Sequence, residues 1–273
     1  MSSRGPVRLR AWQARRVPAP ADRPAADRPA DEPVPALVTL HLWRVAPGSV
    51  PRALLRMGTD RTAVRRLPGV RFAKLLGTGD GRTFTARDAD LTRYGLLTTW
   101  TSAAAAAAFE DSRIARGWAA LATESFRADL APLVSQGRWS GRTPFGSPVP
   151  QRHNGPGHDG PVAALTRARL TTRKAARFWA AVPPVSAALR QQPGLLAALG
   201  IGEAPLGLQG TFSLWSSATA LRDFAHRDPA HVEVIRRTAE QRWYAEELFA
   251  RFAVLGTTGT LDGRDPLPTQ QVA

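Results

Sequence analysis

The chain reads as an α+β protein built from two βαββαβ units, and three observations carry that reading. Pro68-Gly69 recurs as Pro193-Gly194, each pair followed by an apolar run that ends in glycine. At the same offset Leu37–Val45 (LVTLHLWRV) falls on Val162–Leu170 (VAALTRARL) without a gap. With the loop residues around Gly79–Asp90 removed, GLLTTWTS at Gly95–Ser102 aligns with GTFSLWSS at Gly210–Ser217, and Phe109 falls on Phe224. A match held over four successive elements marks an internal duplication.

Each copy reads strand, helix, strand, strand, helix, strand. Apolar or alternating runs predict strands over Leu37–Val45, Val70–Thr78, Tyr94–Trp100 and Ala128–Val134 in the first copy. In the second copy they fall at Val162–Leu170, Leu195–Ile201, Leu208–Trp215 and Leu248–Leu255. Helices are expected over Ser49–Arg66 and Thr171–Gln192, the latter with Thr171 or Thr172 as N-cap. Ser102 and Ser217 stand where later helices need caps, and the second of these helices restarts after Pro229. This order is that of the ferredoxin-like unit, whose sheet buries one face under two helices and leaves the other to be covered. Two fused units solve that by packing sheet against sheet, as a pseudo-dimer of the dimeric α/β-barrel type with a cavity between the sheets.

The expected organisation is a disordered Pro/Arg-rich extension (residues 1–36), a first repeat (37–134), a Gly/Pro-rich connector (135–160), a second repeat (161–255) and a flexible tail (256–273). The extension has too little aliphatic content to offset ordering entropy and no apolar region typical of a secretory signal. Within the connector, RWSGRTPF is placed to fold back over a sheet edge or a cavity mouth, while His153 and His158 read as solvated. No run approaches the length of a membrane span. A cytoplasmic protein is expected, at most peripheral to a membrane.

The net charge of +15 invites a nucleic-acid reading. Only Lys74 and Lys174 are lysines, however, and the arginines are scattered, with no aromatic and basic RNA-binding runs on the central strands. No nucleic-acid partner is expected, and contact with anionic lipid is the milder implication of the charge. Cysteine is absent, which excludes disulfides, thiolate catalysis, iron–sulfur clusters and a thiolate-ligated haem. No P-loop, HExxH or GxSxG pattern occurs. There is also no GxGxxG fingerprint after a strand, so a redox enzyme built this way would draw on an external electron donor.

PGVRFAKLLGTG, GRWSGRTPF, VAALTRARLTTRKAARFWAAVPPVSAAL, PGLLAALGIGEAPLGLQGTFSLW and FAHRDPAHVEVIRRTAEQRWYAEELFARF together resemble the spheroidene monooxygenase family of carotenoid ketolases. The resemblance runs from about Leu37 to Leu255; the extension before it departs from the family's compact start. It implies an oxygen-dependent monooxygenase with haem iron that acts on a long apolar polyene, introducing hydroxyl and then keto groups.

A haem or a polyene needs an apolar cavity with few polar anchors. His231, early in the last helix beside Val234 and Ile235, is the first candidate for axial ligand and metal site, against packing at the helix start. His226 reads as an exposed turn residue. His41 lies opposite Leu40 and Leu42; if these face the helices, His41 enters the inter-sheet cavity as a catalytic residue. Arg236, Arg237 and Arg242 are the candidates for the haem propionates. Glu203, at a strand end between glycines and Ala204, orients a ligand or caps a turn. Trp100 and Trp215 occupy equivalent strand positions and read as core. The alternative function is a non-catalytic or cofactor-free α+β barrel that binds a hydrophobic small molecule.

Overall fold

Strand β1 (Leu37–Val45) spans the predicted residues, as does β5 (Val162–Leu170), because alternate apolar residues, Val38, Leu40 and Leu42 in one and Ala163 and Leu165 in the other, are buried on one face. In this computed structural model residues 32–82, 86–146, 160–170, 186, 188–204, 209–227 and 244–267 are described. The other strands are β2 (Val70–Gly79), β3 (Ala89–Trp100), β4 (Ala122–Gly137), β6 (Leu195–Gly202), β7 (Gly210–Trp215) and β8 (Tyr244–Gly259). The helices are α1 (Val50–Ala63), α2 (Ala103–Phe109), α3 (Arg113–Ala119) and α4 (Ala218–Arg227). Most of the predicted helix Thr171–Gln192, and the restart after Pro229, lie outside the described residues.

Local chemistry fixes the helix starts. Ser102 Oγ accepts from Ala105 N and Ser217 Oγ from Ala220 N, both at 3.1 Å, so the two predicted caps are N-caps. Ser112, unpredicted, caps α3 in the same way. Gly69 (φ 78°) and Gly194 (φ 83°) turn the chain into β2 and β6, which gives the duplicated Pro-Gly pair its backbone reason.

The strands close into one antiparallel barrel in the order β1-β3-β2-β6-β7-β5-β8-β4. Within it, β4-β1-β3-β2 and β8-β5-β7-β6 follow the same internal order. The two four-stranded sheets meet along unequal seams. β4 and β8 pair through eleven residue pairs. β2 and β6 pair through three, Gly77 with Gly202, Thr78 with Ile201 and Gly79 with Gly200.

Inside the barrel Leu40, Leu42, Leu76, Leu97, Phe126, Leu165, Phe212 and Phe252 form one buried cluster. The expected inter-sheet cavity is therefore occupied by packed side chains at these positions. Outside the first sheet, Trp43, Tyr94, Leu96, Trp100, Phe109 and Trp118 pack under α1, α2 and α3.

Three predicted boundaries move. β4 runs on through Ser135–Gly137, and Trp139 and Phe145 of the connector are fully buried in the barrel cluster. Residues 256–259 extend β8, and Leu261 and Leu267 beyond it pack on the same cluster, so this stretch is part of the fold. Residues 32–36 pack as well: Arg142 grips Glu32 at 2.7 and 2.6 Å, and Ala36 N donates to Trp100 O.

Candidate functional site

Three places in the fold bear on function: a charged cluster at one barrel end, His41 on the first sheet, and the helix-facing surface of the second sheet. Glu203 follows directly on β6, where the strand's glycines bring β2 close, and it gathers partners from both sheets. Its Oε2 lies 2.6 Å from Lys74 Nζ. Oε1 accepts from Arg167 Nη2 at 2.7 Å and from Trp139 Nε1 at 2.8 Å. Arg167 Nη1 reaches Glu246 Oε1 at 3.0 Å, and Lys74 Nζ donates to Ser140 Oγ at 2.6 Å. The Lys74 and Arg167 side chains are 7% and 4% exposed. Two buried cations thus face two carboxylates, and the cluster is neutral. Burial pushes the Glu203 carboxyl up, but hydrogen bonds from Lys74 and Trp139 and the nearby cationic charges outweigh it and hold Glu203 below the ordinary glutamate value. The recess beside it, lined by Leu76, Trp139, Arg167, Ile201, Gly202, Glu203 and Gln209, has essentially no space for even a water molecule. With both carboxylate oxygens engaged, Glu203 is a clasp between sheets and connector.

His41 faces the opposite way from the sequence expectation. Leu40 and Leu42 point into the barrel, so His41 points to the helix layer, where its ring stacks on Trp43 at 5.4 Å and tilts against Phe109 at 5.2 Å. Alternation separates two faces but cannot say which is inner when both are apolar. His41 Nε2 pairs with Glu110 Oε1 at 2.9 Å, and Arg127 Nη1 meets the same oxygen at 2.7 Å. Burial acts upward on Glu110, yet the bonds and charges of His41 and Arg127 bring it below its ordinary value.

The second sheet offers its helix layer a different surface. In the first sheet the paired row Arg127, His41, Leu96, Leu75 presents large side chains. The corresponding row of the second sheet is Phe249, Thr166, Thr211, Gly200. The next row replaces Asp129, Thr39, Thr98, Ala73 by Arg251, Ala164, Ser213, Ala198. Ala168 stands where Trp43 stands in the first sheet. Thr166 and Phe249 are exposed. Arg251 is half-buried and makes no ion pair among the described residues; burial, then the Arg222 charge, disfavour its protonated form. The floor is thus low, apolar or hydroxylated, with one cation.

His231, Arg236, Arg237 and Arg242 lie outside the described residues, and His226 falls on α4. Among the described residues no group of three or more His, Asp or Glu side chains could hold a metal ion.

Sequence reasoning missed a repeated turn. GRWSGRTPF (137–145) recurs as GTLDGRDPL (259–267), directly after β4 and β8. Gly137 (φ 91°) and Gly259 (φ 84°) open the two turns, Ser140 (φ 55°) and Asp262 (φ 56°) take the same left-handed conformation, and the bridges Trp139–Arg142 and Leu261–Arg264 close them. Asp262 binds Arg44 and Arg93 at one turn, whereas Ser140 binds Lys74 at the other. The shared spacing of Gly, Gly-Arg and Pro was the available signal, hidden by reading the second copy as a tail.

No family model matches the chain. The fold is similar to that of aldoxime dehydratase, with a TM-score of 0.54 at 14% identity over 83% of this chain and 84% of that one. The spheroidene monooxygenase of Rhodobacter capsulatus is 36% identical over 245 residues, covering 86% of this chain and 96% of the relative. That of Rubrivivax gelatinosus is 36% identical over 230 residues, covering 84% and 86%. The α+β barrel is thus that of an oxygen-dependent monooxygenase, an oxidoreductase. The chain belongs to the spheroidene monooxygenase family.

Proposed function

We propose that this enzyme oxygenates a long apolar polyene of the carotenoid class on the helix-facing surface of its second sheet, with haem as cofactor and an external electron donor. The two halves, by the same reading, descend from one duplicated unit. The observation that carries the location is the exchange of His41, Trp43, Leu96 and Leu75 for Thr166, Ala168, Thr211 and Gly200 at matching sheet positions. Equivalent strands then keep the barrel while one outer face gives up the side chains that fill its counterpart.

The barrel interior does not suit a haem, being packed, and His41 is held by Glu110. The second sheet's outer surface suits it better: its residues are smaller than their counterparts in the first sheet, and Arg251 suits a propionate. His231, in the connection between α4 and β8, would be the axial ligand, with Arg236, Arg237 and Arg242 near the propionates. When bound, haem supplies the centre at which dioxygen is reduced. The overall chemistry is C–H plus O2, two electrons from the donor and two protons, giving C–OH and water. Among the described residues the Lys74–Glu203–Arg167 clasp ties the two sheets together at the strand end. In this account Glu203 and His41 are positioning residues, the first clasping the sheets and the second bracing β1 against α2.

The test is the purified protein made with ample haem. A Soret band that shifts or disappears in His231→Ala and persists in His41→Ala, with hydroxylated and keto products in a carotenoid-producing host, is the expected result. Protein that stays colourless and iron-free yet forms those products would overturn the haem assignment; an unchanged pigment profile would overturn the polyene.

A further inference from the structure

We infer that the outward face of α1 seats the enzyme on an anionic lipid bilayer. The inference rests on the polyene reading, since so apolar a substrate partitions into the bilayer core. α1 buries Ala53 and Met57 against the first sheet. Leu55, 68% exposed, stands on its opposite side, and Leu54, 37% exposed, on its flank. Isolated surface leucines are ordinary. A leucine this exposed on the outer side of a helix, where charged residues are the rule, with a second on its flank, is not.

The surrounding charge selects the partner. Arg52 and Arg66, on the helix and in the turn after it, are exposed and make no ion pair among the described residues. Arg61 and Arg65 donate to the backbone oxygens of Glu203 and Ala73, which leaves their charge uncancelled. The one acid of α1, Asp60, is taken by Arg56 at 3.0 Å. The whole chain carries +15. A basic rim around two leucines fits anionic headgroups over an acyl boundary: the arginines draw the surface in, and the leucines enter it. A nucleic acid would use the arginines and leave the leucines idle.

The test is co-sedimentation of the full chain with phosphatidylcholine vesicles, with and without phosphatidylglycerol. The wild type is expected to pellet with the mixed vesicles and to be released by salt. Leu54→Ser/Leu55→Ser and Arg52→Ser/Arg66→Ser should each weaken binding by about tenfold or more. Their melting temperatures, and their turnover of a polyene dispersed in detergent, should be unchanged. A wild type that stays in the supernatant, or a leucine variant that pellets like the wild type, overturns the inference; so does binding abolished by competing DNA but untouched by the leucine exchange. A chain that turns over the polyene in detergent but ignores vesicles loses the surface and keeps the function. One that binds vesicles through these residues and leaves the polyene intact keeps the surface and loses the function.

Discussion

Lys74 and Glu203 meet at 2.6 Å beside the weaker seam of the barrel, where β2 and β6 share three residue pairs. Removing one partner of a buried pair costs more than the pair contributes, because the remaining charge stays desolvated. Glu203→Leu should therefore lower stability by about 3–5 kcal/mol. Lys74→Met/Glu203→Leu should recover part of that loss, since Arg167 keeps Glu246. Urea midpoints of the single and double variants measure this; a double variant no more stable than Glu203→Leu would show that the pair is not the clasp.

Acid should weaken the fold through its lowered carboxylates. Glu203, Glu110 and Glu124 are all held below the ordinary glutamate value by their folded-state partners, against the upward effect of burial. A carboxyl lowered on folding stabilises above its unfolded value, about 4.3, and that contribution is lost as pH falls through the folded value. Stability should therefore be level above about pH 5 and decline below about pH 4. In Glu203→Gln the decline should be shallower, and an equal slope in both proteins would count against the assignment.

Gly137→Ala and Gly259→Ala should each cost about 2 kcal/mol or more, since φ is positive at both and neither neighbour can yield. An added Cβ would stand 2.2 Å from Glu247 O and 2.1 Å from Ser125 O. Gly141→Ala, with nothing within 4 Å, carries the φ penalty alone and should cost less. Thermal melts that rank Gly141→Ala with the other two would mean the turns do not depend on close backbone approach.

Filling the second floor should lower catalysis. Ala168→Trp, which copies Trp43 of the first sheet, is expected to lower product formation at least tenfold, a loss of about 1.4 kcal/mol in transition-state stabilisation. The reverse exchange, Trp43→Ala, empties a packed stack with Trp118 and should cost about 3–5 kcal/mol of stability. Full activity in Ala168→Trp would place the substrate elsewhere.

Ser102→Ala and Ser217→Ala each remove one capping bond, so each should cost about 1 kcal/mol, or about 2–4 °C in melting temperature. Because the caps belong to different sheets, the double variant should show their sum; a clear departure would reveal coupling across the barrel.

The sequence by itself determined where the strands lie, because a run such as LVTLHLWRV has one extended reading, though not how far β4 and β8 run, and it determined the caps Ser102 and Ser217, because a serine before an apolar helix acts within one turn. It also singled out Glu203, where glycines end a strand. It could not orient His41: both faces of β1 are apolar, and only the packing of Leu40 and Leu42 against the opposite sheet decides which is inner. It could not bring Lys74, Arg167 and Trp139 to Glu203 either, since they come from β2, β5 and the connector and meet only when the barrel closes. The same closure turned a supposed chamber into packed core and set smaller side chains on the outer face of the second sheet than on the first. Periodicity records that a side of a strand is buried, whereas the partner that buries it belongs to the whole fold.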